Sequence, residues 1–220
     1  MAPQKADQNI CCWVKLSHRR PYFVNGRMGL FLTNHEVFME IRYATTADLD
    51  GLLDLLQANH VNSIPENEKK DGFVTTNITR EQLCELIDKE NGVTVAIDKG
   101  QMIGFALAGS WDFWKPWPLF AYMIEHLREF QLHGHTLTEE NSYQYGPVCV
   151  DRTYRGTGVF ERLFTYSLES MAPRYPYMAT FINQINPRSY AAHTRKAGME
   201  ESGKFDWNGN HYWLMAIETK

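Results

Sequence analysis

An apolar strand that runs into an Arg-Gly-x-Gly turn is the feature that most constrains this chain. Residues 148–150 are apolar, Arg155-Gly156-Thr157-Gly158 forms the turn, and an amphipathic pattern then predicts a helix from Val159 onward. The glycines let the backbone turn tightly and remove side chains that would keep a ligand away. The first helical N–H groups have no partner within the helix, and the positive end of the helix dipole lies behind them. The segment therefore predicts an anion site suited to phosphate or pyrophosphate.

Two common phosphate loops do not fit this turn. It has no Gly-Lys-Ser/Thr, which excludes the Walker-type loop. It also lacks the G-x-G-x-x-G pattern after an N-terminal strand that dinucleotide-binding folds carry. The remaining alternative to an anion site is a plain connection between a strand and a helix.

Composition limits the function further. The chain has 220 residues, a net charge of −4 and no apolar run of the ~20 residues that a membrane span needs. We therefore expect neither nucleic acid nor membrane as a partner. The four cysteines include no C-x-x-C pair, which indicates a reducing compartment, predicts a cytoplasmic protein and argues against a metal site.

Residues 1–38 are interpreted as an N-terminal extension, because they are rich in Arg and Lys and poor in acidic residues. Three interpretations stay open: an unstructured segment, an organellar targeting segment, or residues upstream of a natural start at Met39. A secretory signal is excluded because no continuous apolar core follows the charges.

In residues 39–220, the pattern of helix and strand signals predicts one α/β domain with an insertion at about 110–142. Capping boxes at Thr45 and Thr79 begin two helices, and Asp98-Lys99-Gly100-Gln101 and Asn208-Gly209 mark two hairpins. The predicted order is β-α-α-β-β-(insert)-β-α-β-α-β-β. We expect a mixed central sheet of six to seven strands with helices on both faces.

Residues 148–163 resemble the acyl-CoA-binding motif of the GNAT superfamily, the acetyl-CoA-dependent N-acetyltransferases. That motif reads Gln/Arg-x-x-Gly-x-Gly/Ala; Arg155 and Gly158 match it, and the bulky Phe160 departs from it. The resemblance covers about residues 39–217, since the element order also agrees. It implies a GNAT fold, with acetyl-CoA as co-substrate and no metal.

The resemblance also implies where acetyl-CoA binds. Backbone groups of Val148, Cys149 and Val150 would pair with the pantetheine arm, and Asn183 and Asn186 would hydrogen-bond it. For Asn186, capping the next helix is an equal alternative, and Cys149 is interpreted as core rather than as a nucleophile. The pyrophosphate would be held by backbone amides of the turn, namely those of Arg155, Gly156, Thr157, Gly158, Val159 and Phe160.

Many members of this superfamily place a tyrosine in the last helix to protonate the departing thiolate. Here that position holds His193 or Thr194, depending on the end from which the helix is counted. His193 is the predicted proton donor, because imidazole titrates near neutral pH, and Tyr190 is a second candidate. The alternative for His193 is a residue that packs against cofactor or sheet.

The acceptor is expected to be a primary amine on a small molecule, bound near the insertion. Trp111, Trp114 and Tyr145 are the predicted pocket residues; the alternatives for the tryptophans are a covered sheet face or a homodimer surface. No general base is singled out among Glu125, His126, His133, His135, Glu139 and Glu140. The sequence thus predicts an N-acetyltransferase that acts by direct transfer in a ternary complex. A catalytically weak acyl-CoA sensor and a nucleotide-binding phosphate loop are the other hypotheses.

Overall fold

The computed structural model describes residues 39–220, apart from the side chains of Lys70 and Asp71, together with two short strands before them. These strands, β1 (Tyr22–Val24) and β2 (Arg27–Gly29), form an antiparallel pair. The interpretation of residues 1–38 as an extension otherwise lies outside the described residues.

Nine strands follow within residues 39–220. They are β3 (Met39–Tyr43), β4 (Val93–Asp98), β5 (Gln101–Gly109), β6 (Gln131–Leu132), β7 (His135–Thr136), β8 (Ser142–Val150), β9 (Tyr177–Asn183), β10 (Glu200–Trp207) and β11 (Asn210–Glu218). β6 and β7 form a hairpin of their own, and the other seven form one sheet in the order β10-β11-β9-β8-β5-β4-β3. β8 and β9 are parallel and every other pair in this sheet is antiparallel. The predicted mixed sheet is confirmed.

The α-helices are α1 (Leu49–Ala58), α2 (Arg80–Glu85), α3 (Trp111–Trp114), α4 (Pro118–His126), α5 (Val159–Met171) and α6 (Pro187–Arg195). Short 3₁₀ segments are Thr46–Asp48, Glu66–Asp71, Leu127–Glu129 and Arg152–Tyr154, and a π-helical turn, Leu86–Glu90, follows α2. None of the helices in the described residues is long and apolar enough to cross a bilayer.

Both predicted capping boxes are present. The Asp48 carboxylate accepts a hydrogen bond from the Thr45 N–H at 2.7 Å, and Gln82 Oε1 accepts one from the Thr79 N–H at 2.9 Å. These contacts satisfy backbone groups that a helix start leaves free, so local sequence is enough to begin each helix.

Helices cover the sheet on both faces, as the alternation along β5 requires. Phe105 and Leu107 pack with α1 and α2, whereas Ala106 and Ala108 lie in the cluster that includes α5. Successive side chains of a strand point to opposite faces, so β5 contributes to both cores. A third cluster joins the insertion to β9, β10 and β11.

The insertion differs from its prediction in one respect. A helix is expected over residues 119–132, but α4 ends at His126, a 3₁₀ turn follows, and the β6–β7 hairpin then begins. The apolar spacing continues past the helix end because Leu127, Phe130 and Leu132 are buried in the third cluster without being α-helical.

β8 and β9 separate partway along their length. Their pairing covers only Ser142, Tyr143 and Gln144, opposite Tyr177, Met178 and Ala179. Beyond it, Gly146 has φ +109° and is followed by a cis bond to Pro147, which has no N–H to donate. β9 continues to pair with β11 as far as Asn183. A gap therefore opens in the middle of the sheet.

Candidate active site

The gap between β8 and β9 forms a cavity of about 510 Å³. This volume is typical of small-molecule sites. Its walls come from the segment after α1, the start of α4, the diverging strands, the glycine turn, α6 and β11. The cavity thus collects residues that lie far apart in the sequence.

The glycine turn lies at the open end of β8. Gly156 has φ +83° and Gly158 has φ +91°, values that L-residues rarely adopt. A Cβ added to either glycine would meet no atom within 4 Å. The turn therefore requires glycine for its conformation, and the space beside it is open to a ligand.

The first backbone N–H groups of α5 have no hydrogen-bond partner within the helix. The first helical hydrogen bond is made by the Arg162 N–H to the Gly158 carbonyl at 3.2 Å. The N–H groups of Val159, Phe160 and Glu161 precede it and have no partner within the helix. The Val159 side chain is buried beneath the sheet, and the Thr157 hydroxyl donates to the Tyr154 carbonyl at 2.6 Å. The Thr157 hydroxyl proton is therefore already in use, and the backbone N–H groups are the donors that this segment can offer to a phosphate.

Side chains around the turn hold it in place through hydrogen bonds. Arg155 donates from Nε to the Val150 carbonyl at 3.3 Å and from its guanidinium to Asn59 Oδ1 at 3.1 Å, which ties the turn to the end of α1. The Tyr154 hydroxyl donates to the buried carboxylate of Asp98 at 2.6 Å. This hydrogen bond, followed by desolvation, raises the pKa of Tyr154. Arg155 and Tyr154 together fix the turn to β8, to the end of α1 and to β4.

The predicted pantetheine strand lines the cavity. Val148, Cys149 and Val150 pair with β5 on one side, and their other side faces the gap because pairing with β9 ends at Gln144. Burial raises the pKa of the Cys149 thiol to about 12, so the thiol is un-ionised at neutral pH. This value agrees with its interpretation as core.

Asn183 and Asn186 both line the cavity, and both carry structural hydrogen bonds. Asn183 donates to Asn210 Oδ1 at 3.1 Å and accepts from the Ile185 N–H at 3.1 Å. Asn186 caps α6 by accepting from the Ser189 N–H at 3.0 Å. The capping alternative for Asn186 is therefore present, and its side chain remains at the cavity wall.

His193 lines the cavity from α6, and its surroundings keep it neutral. It is 4% exposed, its Nδ1–H donates to the Ser189 carbonyl at 2.8 Å, and Phe160 and Tyr145 contact its ring. Burial lowers the pKa of His193 to about 4. A neutral ring with its proton on Nδ1 has none on Nε2 to give, so the structure does not favour the predicted donation to a thiolate at neutral pH.

Tyr190 lies outside the cavity, contrary to its prediction as a second catalytic residue. Its ring packs on Trp213 with centroids 4.3 Å apart, and its hydroxyl donates to Glu201 at 3.3 Å. Three residues along a helix leave two side chains about 60° apart around its axis, and here that angle places Tyr190 against Trp213 and His193 at the cavity.

Trp111, Trp114 and Tyr145 do not line the cavity, contrary to their prediction as acceptor-pocket residues. All three are at most 1% exposed, and none lines the cavity. Trp111 donates from Nε1 to Ser142 Oγ at 3.0 Å, Trp114 stacks on Phe120, and Tyr145 packs against Phe164. For the tryptophans, the alternative of a covered sheet face agrees with their complete burial, from which large apolar rings gain most.

The acceptor wall, as we name it, consists of residues that the sequence did not single out: Phe73, Val74, Leu119, Phe120, Phe181 and Tyr212. The segment after α1 is held to α4 by a hydrogen bond from Trp117 Nε1 to the Asn77 carbonyl at 2.9 Å. None of the six base candidates in the insertion lines the cavity. No sequence motif marks the wall, because it forms only when the insertion packs on the segment after α1.

Charged residues at the cavity are cationic. Among the described side chains those lining it are Arg155, Arg188, Arg195 and Lys196, without Asp or Glu. Most of them lie on α6 and the glycine turn, which suits a ligand with phosphate groups at that end. The protein is acidic overall, so its net charge does not predict the charge of the cavity.

Comparison with solved structures shows the fold. The chain has the fold of the GNAT acetyltransferases: an N-acetyltransferase from Staphylococcus aureus Mu50 superposes with a TM-score of 0.56 at 20% identity, covering 83% of this chain and 99% of that one. The putative acetyltransferase yncA from Salmonella typhimurium, solved with its cofactor acetyl-CoA, gives 0.54 at 15% identity over 83% and 94%. A ribosomal-protein-alanine N-acetyltransferase from Brucella melitensis gives 0.52 at 22% identity over 81% and 98%. No protein-family model matches the sequence, and no curated protein matches it.

Proposed function

We propose that this chain, which has the GNAT fold, is an N-acetyltransferase that moves an acetyl group from acetyl-CoA to a primary amine by direct attack in a ternary complex. One observation carries the proposal: the gap between β8 and β9 leads directly to a glycine turn whose free N–H groups suit a pyrophosphate. A long ligand with an amide-containing arm and a charged end fits this arrangement.

The residues of the chain would divide the binding as follows. Backbone groups of residues 148–150 would pair with the pantetheine arm, with Asn183 and Asn186 at the opposite wall. Amides of residues 155–160 would hold the pyrophosphate, and Arg155 braces that turn through Val150 and Asn59. Acetyl-CoA supplies the thioester whose carbonyl carbon the amine attacks and whose C–S bond then breaks.

Proton transfer needs little from the protein. An alkylamine has a pKa of about 10, so a small fraction is neutral near pH 8, and desolvation in the cavity enlarges that fraction. The attacking nitrogen loses one proton as its N–C bond forms, and the departing thiolate takes one up. With the pKa of His193 at about 4, we assign both protons to water within the cavity rather than to that imidazole.

A second candidate function is an acyl-CoA-binding sensor with little turnover. The specific observation that favours it is the same imidazole, the predicted proton donor, which is neutral and carries its proton on the nitrogen that bonds the Ser189 carbonyl. Under either function we propose a cytoplasmic protein; for the enzyme the acceptor would be a small-molecule amine, and a homodimer is compatible with both.

One experiment separates these functions. Thiol release from acetyl-CoA is followed with a panel of primary amines and in a control without acceptor, while calorimetry measures binding of acetyl-CoA and of ATP. We expect amine-dependent thiol release and binding of acetyl-CoA only. Binding of acetyl-CoA without release by any amine would favour the sensor, and ATP binding would favour the nucleotide loop.

A further inference from the structure

Building on the proposed function, we infer that the acceptor is a primary amine with an uncharged, apolar or aromatic body, and that Gln144 orients it. The Gln144 Oε1 atom accepts a hydrogen bond from the reacting nitrogen. The inference rests on an unpartnered buried oxygen, on the apolar wall around it and on the charges of the cavity.

Gln144 has a buried oxygen without a protein partner. The residue is 2% exposed, lines the cavity, and donates from Nε2 to the Tyr145 carbonyl at 2.7 Å. That hydrogen bond defines the orientation of the amide, because only the nitrogen can donate to a carbonyl. Oε1 is then left buried with no hydrogen-bond partner. An unpaired buried acceptor is costly, and a ligand N–H would satisfy it.

Gln144 lies where the two strands begin to diverge. It is the last residue of β8 paired with β9, opposite Ala179. A Cβ on Gly146 would lie 3.9 Å from Gln144 Nε2 and 3.6 Å from Thr180 Oγ1, so both side chains lie close to the point where the strands diverge. The glycine turn follows the other end of β8, about 20 Å away along an extended strand. Gln144 is thus at the end of the cavity far from the pyrophosphate, where an acetyl group would be delivered.

The acceptor wall beside Gln144 is apolar and held in place. Phe120 stacks on Trp114 at 4.8 Å and meets Phe181 edge-on at 5.0 Å between ring centroids. Both rings belong to the wall, and Phe181 also contacts Tyr212 at 5.9 Å. Rings fixed on several sides present a surface that favours an apolar or aromatic group.

The charges oppose a second positive group on the acceptor. The charged side chains that line the described part of the cavity are the four cationic ones named above. An extra ammonium would have to lose water against the apolar wall without a described carboxylate to pair with it. Diamines and polyamines are therefore poor acceptors in this cavity.

A pair of amines of equal length tests the substrate class. Hexylamine and 1,6-diaminohexane differ by one charged end, and 2-phenylethylamine tests the aromatic wall. We expect kcat/KM for hexylamine and 2-phenylethylamine to exceed that for the diamine by about tenfold or more, although the diamine has two reactive nitrogens. An equal or higher value for the diamine would overturn the inference and leave the acetyltransferase function standing.

Substitution of Gln144 tests the orienting contact. Gln144→Leu should lower kcat/KM for hexylamine by about tenfold and leave the acetyl-CoA dissociation constant unchanged. Gln131→Leu, the same change at an exposed position in β6, is the matched control and should alter neither value. Gln144→Glu should reduce the preference for hexylamine over the diamine, because it adds a carboxylate to the cavity. Unchanged hexylamine kinetics in both Gln144 variants, with the fold intact by circular dichroism, would overturn the role of Gln144.

Calorimetry keeps this test independent of turnover. If no amine releases thiol, the proposed function fails, and hexylamine and the diamine are titrated into the CoA-loaded protein. Tighter binding of hexylamine, weakened by Gln144→Leu, would still support the acceptor class. Equal binding of both amines would overturn it.

Discussion

The ring of Phe160 packs edge-on against the imidazole of His193, with 5.1 Å between the ring centroids and 72° between the planes. Phe160 is the residue that departs from the acyl-CoA motif, and His193 is the residue that the sequence predicts as proton donor. The phenyl ring helps to exclude water from the imidazole, and burial is the main cause of its low pKa. The residue that departs from the motif thus contributes to the burial that keeps the His193 imidazole neutral.

Acid should destabilise the protein through His193. Its pKa falls from 6.5 in the unfolded chain to about 4 in the folded one, so the unfolded chain binds the proton first as the pH falls. The free energy of unfolding should therefore decrease from about pH 6.5 down to about pH 4, by about 3 kcal/mol from this residue. Urea unfolding measured at several pH values checks the slope.

His193→Asn is the matched control for this prediction, because an asparagine amide can donate to the Ser189 carbonyl as Nδ1–H does. The variant should lose most of the acid dependence between pH 6.5 and 4. Identical slopes in both proteins would mean that His193 is not the titrating group.

Gly158→Glu should abolish acetyl-CoA binding, because the side chain would place negative charge in the space open beside the turn. Gly158→Ala should weaken binding less, and both should cost about 1 kcal/mol of stability through the positive φ. Calorimetry measures affinity, and thermal unfolding measures stability.

Gly134→Glu provides the comparison. Gly134 also has a positive φ, +82°, and a Cβ at this position would meet no atom within 4 Å, but the residue lies in the β6–β7 hairpin. The variant should lose similar stability and bind acetyl-CoA normally. Normal binding by Gly158→Glu would remove the cofactor assignment.

Tyr154→Phe should destabilise the protein by about 1–3 kcal/mol, because it removes a hydrogen bond from the buried Asp98 carboxylate. Acetyl-CoA affinity should fall by about fivefold, since Tyr154 lines the cavity directly before the glycine turn. Tyr190→Phe removes an exposed hydrogen bond to Glu201, and should change stability by less than about 0.5 kcal/mol and leave kcat unchanged. A large fall in kcat for Tyr190→Phe would restore its predicted catalytic role.

Trp111→Phe should cost about 2 kcal/mol of stability and leave the KM for the amine unchanged. It removes the buried hydrogen bond to Ser142 and part of the packed indole, but no atom of the cavity wall. Trp207→Phe, at a half-buried indole in β10, should cost less. Chemical denaturation and amine kinetics on both variants check this; a raised KM for Trp111→Phe alone would return that tryptophan to the acceptor pocket.

Local features of the sequence were sufficient for much of the fold. The Asn208-Gly209 hairpin is present, with φ values of +48° and +74°, and so is the hairpin at Lys99-Gly100. Such turns depend on the φ preference of one or two residues, which distant contacts change little. The glycine turn belongs to the same class, and its conformation could be predicted because only glycine readily adopts it.

The apolar residues that we name the acceptor wall could not be predicted in this way. Trp111 and Phe120 are both aromatic residues of the insertion. Trp111 nevertheless lies in the core, whereas Phe120 forms part of the wall. That difference depends on how α3 and α4 pack on strands from elsewhere in the chain. Hydrophobic spacing indicates that a residue is buried, but not whether it faces the core or a cavity.

Outside the insertion, the sequence by itself determined the element order, the capped helix starts, two hairpins and the glycine turn, because each depends mainly on residues that are close in the sequence. Only the tertiary structure decided that His193 is neutral, that Tyr190 faces away, and that Gln144 has an unpartnered oxygen. Those properties arise from burial and from hydrogen bonds between residues that folding brings together, and the sequence near a residue does not specify its distant partners or its pKa.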